Sequence, residues 1–192
     1  MTVQPHAGFR RGPPHEPFLG TLVRRPVVEV AIGLLGARIT VTGADGTPVT
    51  GTIVETEAYG GPDDRASHAR AGRTRRTATM FGPPGRAYVY LIYGIHHCLN
   101  VVTGDEGTAS AVLIRAVAVD GAAARVAAGP GLVCRTLGID RTDDGRELTG
   151  GRLRIEPRPG TGRELSIVHG PRIGVEQDRK STRLNSSHGY IS

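Results

Sequence analysis

The residues with chemistry to offer are concentrated in residues 54–100, which read VETEAYGGPDDRASHARAGRTRRTATMFGPPGRAYVYLIYGIHHCLN. Glu55 and Glu57 open the stretch, His68 follows, and four of the chain's 5 tyrosines lie within it. On a strand, alternate residues project from the same side. Glu55 and Glu57 therefore form a carboxylate pair near a strand's end, with Ile53 on their side and Thr52, Val54 and Thr56 on the other. A carboxylate placed there beside apolar neighbours can hold a raised pKa and act as a general base. The plainer alternative is two solvated carboxylates at a sheet edge, and spacing alone favours it.

Arg115 sits inside the near-continuous apolar run AVLIRAVAV of residues 111–119. A charge buried there costs several kcal/mol, roughly, unless it is paired. Arg115 therefore needs a buried carboxylate, and Glu57 or Glu55 is the candidate. Residues 60–84 are polar and rich in Gly, Pro and Arg. A loop of this length inside a compact domain is functional or disordered. It carries Asp63, Asp64 and His68, and then Arg70, Arg73, Arg75 and Arg76. Four arginines within seven residues make a phosphate-binding patch, or else an ordinary solvated loop. His68 taken alone is more often structural than catalytic. A hydrolytic metal centre built from Glu55, Glu57, Asp63 and His68 is disfavoured, because no H-x-x-x-H spacing occurs and His96 and His97 are adjacent.

The elements that position these groups read as a chain of short strands. Pro26 and Gly36 bracket a helix whose apolar face is Val27, Val30, Ala31, Leu34 and Leu35. Residues 37–41 and 49–57 alternate as two strands about a turn at 43–47. Residues 86–93 (RAYVYLIY) are a strand by their aromatic and β-branched content, with Tyr88, Tyr90 and Ile92 on one face. Gly94 then marks a turn, which puts Tyr93 at a hairpin tip. Buried tyrosines simply pack, but a ring at an exposed tip stays wet and packing does not explain it. Residues 98–103 return, 111–119 form a buried strand, and 132–137 form a helix capped at Gly138. Residues 151–157 and 166–173 read as extended. The fold class is α+β: a single domain with a curved, mainly antiparallel β-sheet and a protruding β-hairpin, flanked by short helices.

With 192 residues and 38% hydrophobic content, the chain suits one compact domain with its own core. It has no apolar run of about 18 residues, so no membrane-spanning helix is expected. The first residues lack the apolar core of a signal peptide. The two cysteines, Cys98 and Cys134, are too few for a disulfide framework. The expected location is the bacterial cytoplasm, in contact with the nucleoid. A net charge of +6 and a pI near 10.0 predict an acidic partner, nucleic acid first. Arginine far outnumbers lysine; arginine grips phosphate with two bonds, although a GC-rich genome gives the same bias.

Three segments are expected: a flexible lead-in at 1–17, a functional domain at 18–177, and a non-native tail at 178–192. The sequence DRKSTRLNSSH from Asp178 to His188 resembles a translated sequencing adapter. Lys180, the chain's single lysine, and four of its seven serines lie in that tail. The tail holds three positive charges and one negative, which leaves +4 for the rest. On this reading the natural C-terminus is missing.

The motifs ETEAY at Glu55–Tyr59, His68-x-Arg70 and MFGPPGRAYVYLIYG at Met80–Gly94 occur in a telling order. They are followed by CLN at Cys98–Asn100, LIRA at Leu113–Ala116, GPG at Gly129–Gly131, LGI at Leu137–Ile139 and PRIGV at Pro171–Val175. Together they closely resemble the alkyladenine (3-methyladenine) DNA glycosylase family, over about residues 18–175. The resemblance implies a base-excision-repair enzyme that flips a damaged purine out of double-stranded DNA. It implies Glu57 as the base that activates water, Arg115 as its partner, and Tyr59, His68 and Tyr90 as the walls stacking on the base. It further implies Asn100 as a discriminator against guanine's exocyclic amine, Tyr93 as the wedge in the vacated duplex, and Arg70, Arg73, Arg75 and Arg76 on the DNA backbone. A backbone carbonyl within 172–175 would touch the catalytic water. No metal and no cofactor is implied, and the protein would act as a monomer without a membrane partner.

The chain departs from the family at His97, where an aromatic is usual, and at Leu132, where a basic residue near DNA is frequent. An aromatic-rich segment after PRIGV is also expected, and the tail stands in its place. An alternative from another class is a non-catalytic DNA-damage binding module. It would use Tyr93 and the basic loop but would have no need of a buried Glu57–Arg115 pair.

Overall fold

The computed structural model describes residues 18–160, 166–173 and 183–186, the last as backbone only. The predicted lead-in, Gly174 and Val175 of the PRIGV motif, and most of the predicted tail lie outside the described residues. The helices are α1 (Phe18–Leu22), α2 (Val27–Leu34) and α3 (Pro130–Leu137). The strands are β1 (Arg38–Thr42), β2 (Pro48–Tyr59), β3 (Ala87–Ile92), β4 (His96–Thr103) and β5 (Ser110–Val119). They continue as β6 (Ala127–Ala128), β7 (Thr149–Gly150), β8 (Leu153–Glu156), β9 (Ile167–Gly170) and β10 (Arg183–Ser186). Along the main path the order is β3-β4-β5-β2-β1-β8-β7, and every pairing is antiparallel. This curled sheet with three short helices is the α+β domain the sequence predicts.

The sheet has two covered faces. On one, Val30, Ala31 and Leu34 of α2 and Val133, Cys134 and Leu137 of α3 pack on Ile39, Val89, Leu99, Val101, Val112 and Ile114. Burying each such large aliphatic side chain contributes about 1.5–3 kcal/mol. Helix α3 starts at Pro130 and stops at Gly138, whose φ of 67° is left-handed, as the sequence predicts for a glycine cap. On the other face Ala69, Met80, Tyr88, Val102, Ala109 and Ala111 form a second, smaller cluster. Ala69 and Met80 come from the 60–84 loop, which is folded into 3-10 turns at His68–Ala71 and Ala78–Phe81. The loop thus covers the second face and carries His68 to it.

Strand β2 corrects one expectation. The predicted alternation put Ile53 on the side of Glu55 and Glu57. Instead Ile53 lies in the main core with Ala58, and Thr56 donates to the Ala31 carbonyl of α2 at 3.0 Å. The cause is an irregularity in the β2–β5 ladder: Ile53 pairs Val117, Glu55 pairs Ala116, and Thr56 pairs Ile114. Ile53 and Thr56 both face the core although three residues apart, so the strand gains half a pleat between them. A bulge of this kind re-aims side chains, and here it sends Glu55 and Glu57 to the second face. Gly51 permits the close approach just before it; a Cβ there would sit 2.5 Å from Val117 Cγ1 and 2.7 Å from the Ala118 carbonyl oxygen.

Strand β3 is a sheet edge, and residues 141–146 act as its missing partner. Val89 N–H donates to Asp144 Oδ1 at 2.9 Å, and Arg141 donates to the Val89 carbonyl. Backbone bonds join Ala87 N–H to the Arg146 carbonyl and Gly145 N–H to the Ala87 carbonyl, each at 2.8 Å. On β2, Arg183–Asn185 of β10 pair Glu57–Glu55. This segment belongs to the predicted tail, and ladder bonds are backbone bonds that ask little of the side chains.

Candidate active site

Glu57 is the buried centre of the second face, with 0% exposure. Its Oε1 lies 3.3 Å from Arg115 Nη1 and accepts the Ile173 N–H at 2.9 Å. Its Oε2 accepts the Tyr59 hydroxyl at 3.0 Å. Arg115 also reaches Glu55, with Nε 3.3 Å from Oε1. The arginine lodged in an apolar strand is therefore matched by both candidate carboxylates. The bulge is what turns all three groups to one side. A carboxylate so held stays fixed in orientation.

Three further rings meet across β3 and the loop. His68 and Tyr90 are edge-to-face with centroids 4.5 Å apart, and Tyr88 and Tyr90 lie 5.4 Å apart. His68 Nδ1 is 3.2 Å from the Tyr88 hydroxyl. Burial, and then the charge of Arg76, hold the His68 imidazole below its ordinary value, which favours the neutral ring. Burial pushes the Tyr88 phenol up to about 12. Tyr90 is raised by burial first, and Tyr59 by burial and then by the Glu57 charge. All three phenols are thus kept as O–H donors near neutral pH. Alternation makes Tyr88 only a face-mate of Tyr90; its hydrogen bond with His68 comes from the fold.

Asn100 is 4% exposed, and its Nδ2 donates to the Tyr88 carbonyl at 3.1 Å and the Cys98 carbonyl at 3.4 Å, which turns Oδ1 the other way. Tyr93 stands at the tip of the β3–β4 hairpin, 88% exposed, with φ of 52° followed by 70° at Gly94. A left-handed φ is costly for a bulky ring. Arg70, Arg73, Arg75 and Arg76 are all exposed. Arg76 differs from the others, because its guanidinium lies 5.5 Å from the Tyr90 ring centroid and bonds the Leu91 carbonyl at 3.4 Å. Among the described residues no group of three or more His, Cys, Asp or Glu side chains could hold a metal ion; Glu55 and Glu57 take Arg115 between them instead.

Arg172 was missed. It is 5% exposed, makes a two-pronged pair with Asp64 at 2.6 and 2.7 Å, bonds the Ala58 carbonyl at 3.1 Å, and lies 4.4 Å from the Tyr59 ring centroid. The only sequence signal was its place in the PRIGV motif.

Sheet, bulge and rings bring an anchored carboxylate, a cluster of aromatic side chains and a basic loop together in one region of the domain. The chain belongs to the methylpurine-DNA glycosylase (MPG) family, whose model matches residues 21–186. It is therefore a DNA N-glycosylase, a hydrolase of DNA repair. It is 57% identical over 147 residues to a protein of Anaeromyxobacter dehalogenans (strain 2CP-C) named "Putative 3-methyladenine DNA glycosylase", covering 76% of this chain and 70% of the relative. Proteins of the same name from Myxococcus xanthus (strain DK1622) and Trichodesmium erythraeum (strain IMS101) are 50% identical over 155 residues and 41% identical over 179 residues. These cover 79% and 84% of this chain, and 78% and 89% of the relatives. No helix among the described residues is long and apolar enough to cross a membrane.

Proposed function

We propose that this chain, a monomer working on bacterial DNA in the cytoplasm, turns an alkylated or deaminated purine out of duplex DNA and hydrolyses its N-glycosidic bond. The observation that carries the reading is Glu57, fully buried yet bonded by the Ile173 N–H and the Tyr59 hydroxyl and paired with Arg115. Glu57 accepts the proton of the attacking water, and its charge stabilises the oxocarbenium-like sugar as the base departs. A flipped base loses its stacking and must recover it on aromatic walls. Tyr59 supplies one wall, His68 and Tyr90 the other. Tyr93 fills the gap left in the duplex, Arg70, Arg73 and Arg75 hold phosphates, and Asn100 rejects guanine through its exocyclic amine.

The substrates proposed are 3-methyladenine, 7-methylguanine, hypoxanthine and ethenoadenine. N3- and N7-alkylated purines are cationic and leave readily, whereas a neutral lesion must be protonated first. Strand cleavage by bifunctional glycosylases often runs through a lysine Schiff base, and residues 1–177 contain no lysine. The product is therefore an intact abasic site. A pure damage-binding module would need no buried Glu57–Arg115 pair, which favours catalysis.

The test is excision from duplexes carrying one hypoxanthine or one ethenoadenine, with EDTA present and hot alkali applied afterwards. Alkali-dependent cleavage that disappears in Glu57→Gln is expected. Cleavage without alkali would overturn the monofunctional assignment, and wild-type activity in Glu57→Gln would overturn the role of Glu57.

A further inference from the structure

Three consecutive residues of the site are gripped by two consecutive residues from the far end of the domain. Ile173 N–H holds Glu57 Oε1 at 2.9 Å. Arg172 Nη1 holds the Ala58 carbonyl at 3.1 Å. The Arg172 guanidinium covers one face of the Tyr59 ring at 4.4 Å. Arg172 is in turn fixed by Asp64 through two bonds of 2.6 and 2.7 Å. Asp64 is anchored to its own loop, accepting the N–H of Gly60 and of Ala66 at 3.0 Å each. A fork of this kind sets a guanidinium's plane as well as its position.

We propose that Arg172 is a positioning residue of the excision reaction: clamped by Asp64, it fixes the Tyr59 ring and, with Ile173, the angle of the Glu57 carboxylate. The inference rests on the reading of this face as the base-binding site. With one face covered by Arg172, Tyr59 has only the other to offer a base. Its hydroxyl then meets Glu57 Oε2 at 3.0 Å, so the ring that stacks the base also orients the carboxylate that acts on the water. Asp64 precedes His68 by four residues in the same loop, so the clamp also ties the loop bearing the opposite wall to β2. Its effect should fall on the chemical step, because misplacing reacting groups by about 1 Å costs on the order of 100-fold in rate.

The test uses the full chain and Arg172→Lys, which keeps the cation but loses the fork and the flat stacking surface. Single-turnover excision of hypoxanthine is measured across enzyme concentration, beside NMR spectra of ring-labelled tyrosine assigned through Tyr59→Phe. The expected result is a saturating rate lowered about 10- to 100-fold with half-saturation changed less than about threefold. Tyr59 ring signals should shift while those of exposed Tyr93 stay in place. A merely structural role would reduce the folded fraction and leave the saturating rate of folded enzyme unchanged. Asp64→Asn, which frees the fork but leaves Arg172 present, should move both readouts in the same direction, and it decides the matter if Arg172→Lys does not fold. Wild-type rate and unmoved Tyr59 signals in the folded variant would overturn the clamp. If the wild-type chain excises no damaged purine, the glycosylase reading of the site fails instead, and the Tyr59 spectra still decide whether the clamp exists.

Discussion

Arg115 Nη1 and Glu57 Oε1 stand 3.3 Å apart across the β2–β5 ladder at the place where its register slips. The slip is what makes the pair. It takes Glu57 away from the aliphatic core that holds Ile53 and Ala58 and turns it toward the arginine of the neighbouring strand. Neither charge is tolerable there alone.

Removing the arginine should therefore cost more stability than neutralising the glutamate. Arg115→Ala leaves Glu57 and Glu55 without their shared cation, and breaking a buried pair in this way costs about 3–5 kcal/mol. Glu57→Gln keeps an acceptor for Ile173 N–H, and Arg115 keeps Glu55, so it should cost distinctly less while abolishing excision. Urea unfolding of both variants checks the order. Equal losses would mean that the pair does not act as a buried unit.

Tyr93 is held at φ 52° with 88% of its surface exposed. Holding a residue in such a region costs about 1–3 kcal/mol. Tyr93→Asn, which tolerates that conformation, should be as stable as the wild type or up to about 1 kcal/mol more so, and should lose excision from duplex DNA. Thermal unfolding beside duplex excision reads both effects. A large fall in stability would show that the tip residue is structural.

Two groups give stability a pH dependence of calculable sign. His68 is held below its ordinary 6.5 by burial and then by Arg76, so the folded state binds its proton less readily than the unfolded state. Its contribution is complete above 6.5 and is lost as pH falls through the lower folded value. Burial raises Asp64, but the Arg172 fork and the N–H groups of Gly60 and Ala66 outweigh it and hold the carboxyl below its ordinary 3.8. That contribution is present above 3.8 and is lost in stronger acid. His68→Gln should flatten the upper part of an acid-unfolding curve and Asp64→Asn the lower part, as followed by circular dichroism.

Residues 141–146, which run along the edge of β3, should stabilise it as a ladder strand would. Asp144 receives Val89 N–H at 2.9 Å and the Thr79 hydroxyl at 3.1 Å. Asp144→Ala leaves a partly buried N–H without its acceptor, a loss of about 1–3 kcal/mol, and uncovers a sheet edge, which invites association. A lowered melting temperature with light scattering that grows with protein concentration is expected.

The loop arginines should separate in a salt titration of DNA binding. Arg73→Ala and Arg75→Ala should each reduce the slope of log Kd against log salt by about 1. Arg76→Ala should reduce it less, because Arg76 leans on Tyr90 and bonds Leu91. An equal loss for all three would place Arg76 on phosphate.

The sequence by itself determined the succession of short strands along the chain, the hairpin with Tyr93 at its tip, the helix starting near Pro26 and the glycine stop at Gly138; the order of those strands in the sheet came only with the fold. Each rests on short-range rules: alternation, turn residues and capping. It also determined that Arg115 must find a carboxylate, because an unpaired charge in a buried strand is too costly to keep. Tertiary structure decided which faces meet. A single slip in the β2–β5 register moved Ile53 to the opposite side from Glu55 and Glu57, and alternation cannot foresee a change in its own parity. Tertiary structure also decided the long-range contacts. Arg172 meets Asp64 across 108 residues of chain, and Arg141 meets Val89 across 52. No local pattern encodes such pairs, because they exist only once the sheet has curled, bringing Arg172 back over the end of β2 and Arg141 alongside β3.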